Sequence, residues 1–314
     1  MILYDTRNWG NTLIKIYLSF NKAYTTRILF RDILIITVYA AIIVVVDIEF
    51  LTQKLHIDPL FFSLLGVILS LMLVFRLNSS YNKWWEGRTA WGALINNSRA
   101  FASNLNSLIP KEDKELRRYF ATQISNFAIA LQGHLRDDVN FSEFEKLDAA
   151  YDEALGSVKH VPHKIVTMLF EKIELLVKSG LFSKIDTLSL KPQLERFLDI
   201  LGICERIKNT PIPFSHNSYI KTFILIYVFA LPFGIVSSLE YYAIPAVSLI
   251  SYALVGVEVI SEEIEEPFGR QANDLPLIHL SNIIKENTYE ALEVAYTFKV
   301  PSVEVDNEYI VIIH

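Results

Sequence analysis

Cysteine is almost absent from this sequence. The 314 residues include one cysteine, Cys204, which excludes an intrachain disulfide and a zinc site built from several thiolates. Charged residues are also scarce, at 20% of the chain, whereas soluble domains have about 25%. The net charge of −6 argues against nucleic acid as a partner, because nucleic-acid-binding domains are basic.

Motifs for the common catalytic chemistries are missing as well. The chain has no GxxxxGK(S/T) or GxGxxG loop for phosphates, and no HExxH or GxSxG motif for hydrolysis. Residues 1–27 lack a compact apolar core followed by a small-residue cleavage site, so no removable signal peptide is expected. We therefore predict a protein that is not an enzyme.

Long apolar runs are what the sequence has in excess. Hydrophobic residues make up 52% of the chain, and the mean hydropathy is +0.30. A membrane-spanning helix needs about 20 mostly apolar residues. With their flanks, four runs meet this need, at about 31–51, 59–75, 222–239 and 241–257, and Glu240 alone separates the last two. The pattern predicts an all-α integral membrane protein with four transmembrane helices in two hairpins.

Basic residues at the ends of these runs predict the orientation. They are Lys22, Arg27 and Arg31 before the first run, Arg76 and Lys83 after the second, and Lys221 before the third. The link at 47–58 has only Lys54, and the last turn has no cation. Because cytoplasmic flanks are rich in Lys and Arg, we expect a multi-pass protein of the plasma (inner) membrane with both termini cytoplasmic.

The remaining sequence is predicted to form a helical cytoplasmic body. The expected parts are a cytoplasmic N-terminal segment at 1–30, a first hairpin at 31–77, a cytoplasmic helical region at 78–221, a second hairpin at 222–257, and C-terminal helices and tail at 258–314. Apolar residues recur at helical spacing in the middle region: Leu116, Phe120, Ile124, Phe127 and Leu131; Ile165, Leu169, Ile173 and Leu176; Leu194, Leu198, Leu201 and Cys204. Cys204 is therefore expected to be buried rather than reactive.

Three features are candidates for function. In "SLLGVILSLMLVF", at 63–75, Val67, Leu71 and Phe75 stand four residues apart and form a stripe on one helix face, which faces lipid, the protein core or the wall of a pore. The acidic segment 258–277 carries carboxylates that either bind a hard cation or, more commonly, form a solvated or salt-bridged face. His160 and His163 are either a metal pair or, more commonly, part of a surface loop.

Three stretches, in this order, resemble the bacterial branch of the bestrophin family. They are "LFFSLLGVILSLMLVFRLNSSYNKWWEGRTAWG" at 60–92, "LGICERIKNTPIPF" at 201–214, and "EEIEEPFGRQANDLPL" at 262–277. In the first stretch, Gly87 is the first residue after the second span that is expected to break a helix. The likeness extends over about 20–298. It implies a homopentameric ion channel in the lipid bilayer, with second-span helices around a narrow neck and a cytoplasmic funnel that ends in a second aperture.

The resemblance also assigns roles to residues. The neck falls on Val67, Leu71 and Phe75, and the cytoplasmic aperture on Ile185. Animal members build a calcium clasp from acids after "EEPFG"; the corresponding positions here are Arg270, Gln271, Ala272, Asn273 and Asp274, of which only Asp274 is a carboxylate. Calcium-gated opening is therefore not expected, and no cofactor is predicted. The segment with Glu262, Glu265, Glu266, Asn273 and Asp274 is an interface or a cation-binding candidate.

Several functions remain open on these grounds. The wider family favours small anions such as chloride, whereas a pentamer of chains with net charge −6 would favour cations such as sodium near the entrance. A non-conducting scaffold or sensor could use the acidic face at 258–266 to bind a partner. A secondary transporter is disfavoured because the two hairpins show no convincing repeat and no ionisable residue lies in the middle of a span.

Overall fold

The computed structural model describes residues 24–51, 58–271 and 273–296. Within these ranges the structure is helical and contains no strand. The α-helices are α1 (Tyr24–Glu49), α2 (Pro59–Leu108), α3 (Lys114–Leu135), α4 (Ala149–Gly156), α5 (Val161–Lys178), α6 (Asp186–Asn209), α7 (Phe214–Leu239), α8 (Ala243–Glu265) and α9 (Leu277–Ala291). Short 3₁₀ turns lie at Phe141–Glu143 and Glu240–Tyr242. Lys22, Lys54, Ala272 and the predicted C-terminal tail beyond 296 lie outside the described residues.

Helix α2 is the longest helix of the described structure. At 50 residues and about 1.5 Å per residue, it is roughly 75 Å long. Asp58 caps its start by accepting a hydrogen bond from the backbone N–H of Leu60 at 2.9 Å, and Pro59 occupies the first turn, where a missing N–H costs nothing. The helix runs on through Gly87, so the break signal at that residue does not end it. The second predicted span and the start of the predicted cytoplasmic region are therefore one element.

The first half of α2 packs with the other apolar helices. Three helical stretches, Ile28–Glu49, Leu60–Leu108 and Phe214–Glu265, are long and apolar enough to cross a membrane. The third is interrupted by the 3₁₀ turn at Glu240–Tyr242, so that α7 and α8 return on each other as a hairpin. Side chains of α1, α2, α7 and α8 form one shared core: Ile36, Ala40, Phe62, Leu69, Leu73, Ile224, Val228, Leu231 and Val247.

The second half of α2 belongs to a separate core. This core is shared by α2, α3, α5, α6 and α9. In it, Phe197 forms edge-to-face ring pairs with Phe101 and Phe127, with ring centroids 5.8 and 5.0 Å apart. The predicted apolar stripes of the middle region are confirmed here, since nearly all of their residues are buried, including Cys204. Burial raises the pKa of the Cys204 thiol to about 12, as expected for a structural rather than a reactive cysteine.

Candidate functional site

The stripe of Val67, Leu71 and Phe75 lies on the face of α2 that its own chain leaves open. These side chains are 69%, 57% and 60% exposed. Phe62, Leu69 and Leu73, on the opposite face, are buried against α7 and α8. Of the three sequence interpretations of the stripe, packing in the core of its own chain is therefore excluded. Lipid and a pore wall remain, because both would cover this face from outside the chain.

Gly66 fixes the distance between α2 and α7 beside this stripe. A Cβ at Gly66 would lie 2.9 Å from the Tyr227 hydroxyl oxygen, which donates a hydrogen bond to the Phe62 carbonyl at 3.3 Å. A larger residue would push Tyr227 away, so glycine permits the close approach of the two helices. The back of the stripe-bearing helix is thus held firmly by its own chain.

Arg76 follows the stripe directly and is fully buried. Its Nη2 donates to Glu265 Oε2 at 2.8 Å, its Nη1 donates to Ser80 Oγ at 3.0 Å, and its Nε lies 3.6 Å from Glu258 Oε2. Glu258 and Glu265 lie on α8 and are also buried. A buried charge is stable only when it is paired and hydrogen-bonded. The cluster therefore anchors the end of the stripe to the end of α8.

Glu265 extends this anchor to the preceding segment. Its Oε1 accepts a hydrogen bond from the backbone N–H of Ile212 at 3.0 Å, in the stretch that links α6 to α7. One turn earlier on α8, Glu262 accepts from Lys221 Nζ of α7 at 2.8 Å. Two of the candidate cation-binding acids are therefore already paired with basic groups of the same chain.

Hydrogen bonds hold the described residues of the segment 266–275. The backbone N–H of Leu275 donates to the Pro267 carbonyl at 2.8 Å, and Asp274 Oδ2 accepts from the backbone N–H of Gln271 at 2.6 Å. A Cβ at Gly269 would overlap the Asp274 carboxylate. Arg136, the residue directly after α3, donates to the carbonyls of Phe268 at 3.2 Å and Gly269 at 2.8 Å.

Asp274 stabilises this segment, and the pKa of its carboxyl is raised. Its burial raises the pKa of the carboxyl to about 6, with a smaller increase from the charges of Glu263 and Glu266, although the Gln271 N–H and Arg136 act in the opposite direction. Asn273 presents its backbone carbonyl to Trp84 Nε1 at 3.0 Å. Glu262, Glu265, Asp274 and Asn273 thus have distinct structural roles in this segment, whereas Glu266 is exposed directly after α8. Cation binding by these residues stays a prediction.

Ile185 lies at the tip of the α5–α6 hairpin. It is 77% exposed, and the loop that presents it is held by two reciprocal bonds between Ser183 and Asp186, at 2.7 and 3.2 Å. The neighbouring Phe182 is buried and anchors the loop. Leu188, whose backbone N–H bonds the Ile185 carbonyl, is exposed as well. The hairpin therefore presents two large apolar side chains on a well-bonded turn.

The hairpin is attached to the same helix that carries the stripe. Asn97 Nδ2 of α2 donates to the Gln193 carbonyl of α6 at 2.9 Å, and Asn104 Nδ2 donates to Gln193 Oε1 at 3.0 Å. Val67 and Asn97 lie on one helix, separated by roughly 45 Å along its axis at about 1.5 Å per residue. The residues of the two predicted constrictions are thus attached to one continuous support.

Sequence interpretation missed the role of Arg76. From the sequence, Arg76 serves only as a mark of orientation, and Glu258 only as part of an acidic run. A signal was available, since an arginine that directly follows an apolar run needs a partner, and Glu258 directly follows another. Which carboxylate pairs with it depends on how α2 and α8 cross, which one sequence does not show.

Comparisons with known proteins agree with this architecture. The family described as Bacterial/Fungal Bestrophin protein matches residues 5–290. The voltage-dependent anion channel-forming protein alr2987 of Nostoc sp. is 34% identical over 226 residues, covering 71% of this chain and 74% of the relative. The voltage-dependent anion channel-forming protein YneE of Salmonella typhimurium is 32% identical over 290 residues, covering 91% and 92%.

A solved structure gives the same picture. A bacterial bestrophin homologue from Klebsiella pneumoniae, crystallised with a leucine-to-threonine substitution, matches with a TM-score of 0.78 and 26% identity, covering 84% of this chain and 98% of that one. The Nostoc and Salmonella relatives are named as channel-forming proteins and not as enzymes. The all-helical fold, the apolar helices and the matching family lead to one conclusion: the chain is a membrane protein that belongs to the bestrophin family.

Proposed function

We propose that this protein is an anion-selective channel, assembled from several copies of the chain around one pore, with Val67, Leu71 and Phe75 as its neck. The observation that carries this proposal is the exposed apolar stripe on the face of α2 opposite its packed face. When copies surround an axis with this face inward, each stripe residue becomes a ring of identical side chains. The resemblance to bestrophins sets the proposed number of copies at five.

The proposed neck gates by excluding water. Valine, leucine and phenylalanine side chains offer nothing that replaces the hydration shell of an ion, so a narrow segment lined by them is a barrier while it is dry. The Arg76 cluster holds the lower end of this segment. Opening then requires the rings to widen or wet.

The proposed second constriction is formed by Ile185 at the cytoplasmic end. Leu188 is added to it, because it is exposed beside Ile185 at the same tip. We propose that the protein crosses the plasma membrane four times, through α1, the first half of α2, α7 and α8, and that both termini lie on the cytoplasmic side. Because Glu262 and Glu265 are paired with Lys221 and Arg76, we propose that opening does not require calcium.

Selectivity for anions rests on two observations. The first is that the relatives are named anion channel-forming proteins. The second is that Phe75 is the one neck residue whose side chain favours one sign of ion, because the positive edge of an aromatic ring attracts anions. Selectivity for monovalent cations is the second candidate, favoured by the net charge of −6 on each chain. A reversal potential measured in purified lipid under a KCl gradient distinguishes the two by its sign.

The conductance of purified protein in planar bilayers tests the neck. Leu71→Ala shortens the side chain at the middle ring and is expected to raise the single-channel conductance or open probability. Leu249→Ala is the matched control, since Leu249 is 70% exposed on α8 and outside the proposed pore. If Leu71→Ala has both the conductance and the open probability of the wild type, the neck assignment is contradicted. If no variant and no wild-type protein passes current, the channel function is contradicted.

A further inference from the structure

Two histidines and one glutamate converge in the cytoplasmic half of the molecule. Glu205 Oε1 lies 2.8 Å from His134 Nε2 and 2.7 Å from His160 Nε2. The three ligand atoms are within 4.8 Å of one another, and within the described ranges these residues are the group with metal-ligand geometry. His163, which the sequence pairs with His160, is not part of this group.

Each residue of this group comes from a different helix. His134 lies in the last turn of α3, His160 caps the start of α5, and Glu205 lies on α6. In the metal-free form, the His163 backbone N–H donates a hydrogen bond to His160 Nδ1 at 3.3 Å, and the centroids of the two ligand rings are 4.6 Å apart. The group is therefore held by the fold and is not a chance encounter of mobile side chains.

The surroundings are polar and accessible. The side chains of His134, His160 and Glu205 are 26%, 39% and 29% exposed, so an ion can enter and still be partly shielded from bulk water. The neighbouring Lys208 Nζ donates hydrogen bonds to the His134 carbonyl at 2.9 Å and to Asp137 Oδ1 at 2.6 Å.

We propose that His134, His160 and Glu205 bind a zinc ion. Two imidazoles and one carboxylate are a known zinc ligand set that leaves the fourth tetrahedral position to water. Calcium is excluded by the donors, because it needs six to eight oxygen ligands. With zinc–nitrogen and zinc–oxygen bonds of about 2.0–2.2 Å, the Glu205 oxygen and each histidine nitrogen, now 2.8 and 2.7 Å apart, must separate by about half an ångström.

Zinc binding moves one proton within each of the two imidazole rings. In the hydrogen-bonded form, the Nε2–H of each histidine donates a hydrogen bond to Glu205 Oε1. Zinc needs the lone pairs at those nitrogens, so the ring proton resides on Nδ1 and the 3.3 Å bond from His163 is given up. The three helices are then joined by coordinate bonds at the base of the α5–α6 hairpin, whose far end carries Ile185.

Zinc titration of the purified full-length protein, stripped with EDTA, tests the site. We expect one zinc per chain, an increase in the thermal unfolding temperature with zinc but not with calcium, and zinc affinity that falls as the pH drops below the histidine range. His134→Gln and Glu205→Gln should each weaken binding by more than about 10-fold, since even the loss of groups behind the ligands costs that much. His163→Gln is the control and should bind like the wild type.

Two results would overturn the site. The first is that the EDTA-stripped wild-type protein takes up no zinc and that its unfolding temperature changes with pH but not with zinc. The three side chains would then form hydrogen bonds only. The other is undiminished one-to-one binding in a folded His134→Gln/His160→Gln protein. Should that double variant fail to fold, anomalous diffraction at the zinc edge from wild-type crystals decides, with a peak expected between the three side chains. These results do not depend on ion conduction.

Discussion

Arg76 Nη2 donates a hydrogen bond of 2.8 Å to Glu265 Oε2, and both residues are buried. This bond joins the residue after the proposed neck to the last turn of α8. Glu265 uses its other oxygen on the Ile212 backbone N–H. A single carboxylate therefore connects the neck helix, the end of α8 and the entrance to α7.

Removing the arginine should strongly destabilise the protein. Arg76→Gln leaves Glu258 and Glu265 buried without their cation, which is expected to cost about 3–5 kcal/mol. Arg206→Gln is the matched control, because Arg206 forms an exposed ion pair with Glu86 of α2 and such pairs contribute about 0–1 kcal/mol. Thermal unfolding in detergent measures both, and a similar unfolding temperature for the two variants would contradict the anchoring role of Arg76.

Charge at Ile185 should change ion selectivity without affecting folding. Ile185→Glu is expected to shift the reversal potential toward cations and Ile185→Lys toward anions, because a ring of like charges at a narrow aperture selects the opposite sign. Leu175→Glu places the same charge on an exposed position of α5 and should have little effect. If all three variants have the wild-type reversal potential, Ile185 is not at the aperture.

Gly87 should not tolerate a branched side chain. A Cβ at this position would lie 3.1–3.3 Å from the Phe268 ring and Pro267, so Gly87→Val is expected to destabilise by about 1–3 kcal/mol through overpacking. Gly202 on α6 is the matched control, since a Cβ there would have no other atom within 4 Å. Gly202→Val should change stability by less than about 0.5 kcal/mol, and equal losses at the two sites would contradict the close packing.

Asp274 should make the protein less stable as the pH rises. Its pKa is raised from 3.8 to about 6 in the folded state, so the folded form binds the proton more tightly than the unfolded form. The resulting stabilisation is complete below the unfolded pKa and is lost as the pH rises through about 6. Relative to Asp274→Asn, the wild-type unfolding temperature should therefore fall between about pH 4 and pH 7.

A comparison of the two proteins removes the contribution of all other acids. Asp152→Asn, at an exposed position on α4, serves as the control and should follow the wild type across the range. A constant difference between the wild type and Asp274→Asn over these pH values would mean that Asp274 titrates normally.

The sequence was sufficient for the features that depend on local spacing. The apolar runs predicted the helices that α1, α2, α7 and α8 form, and the stripes from Leu116 to Cys204 predicted buried helix faces, because helical periodicity alone decides which side chains share a face. It also supplied the three motifs that resemble bestrophins. The helix boundaries were less accurate, as α2 shows by continuing to Leu108 through Gly87.

Only the tertiary structure decided which residues meet across helices. Periodicity could not tell whether the Val67 stripe faces the core of its own chain, and the packing of Phe62 and Leu69 on the other side resolved that. Likewise, Arg76 and Glu265 are 189 residues apart, and His134 and Glu205 are 71 apart. Such contacts depend on the angles and distances at which helices cross, and these are set by the sum of many side-chain contacts rather than by any local pattern.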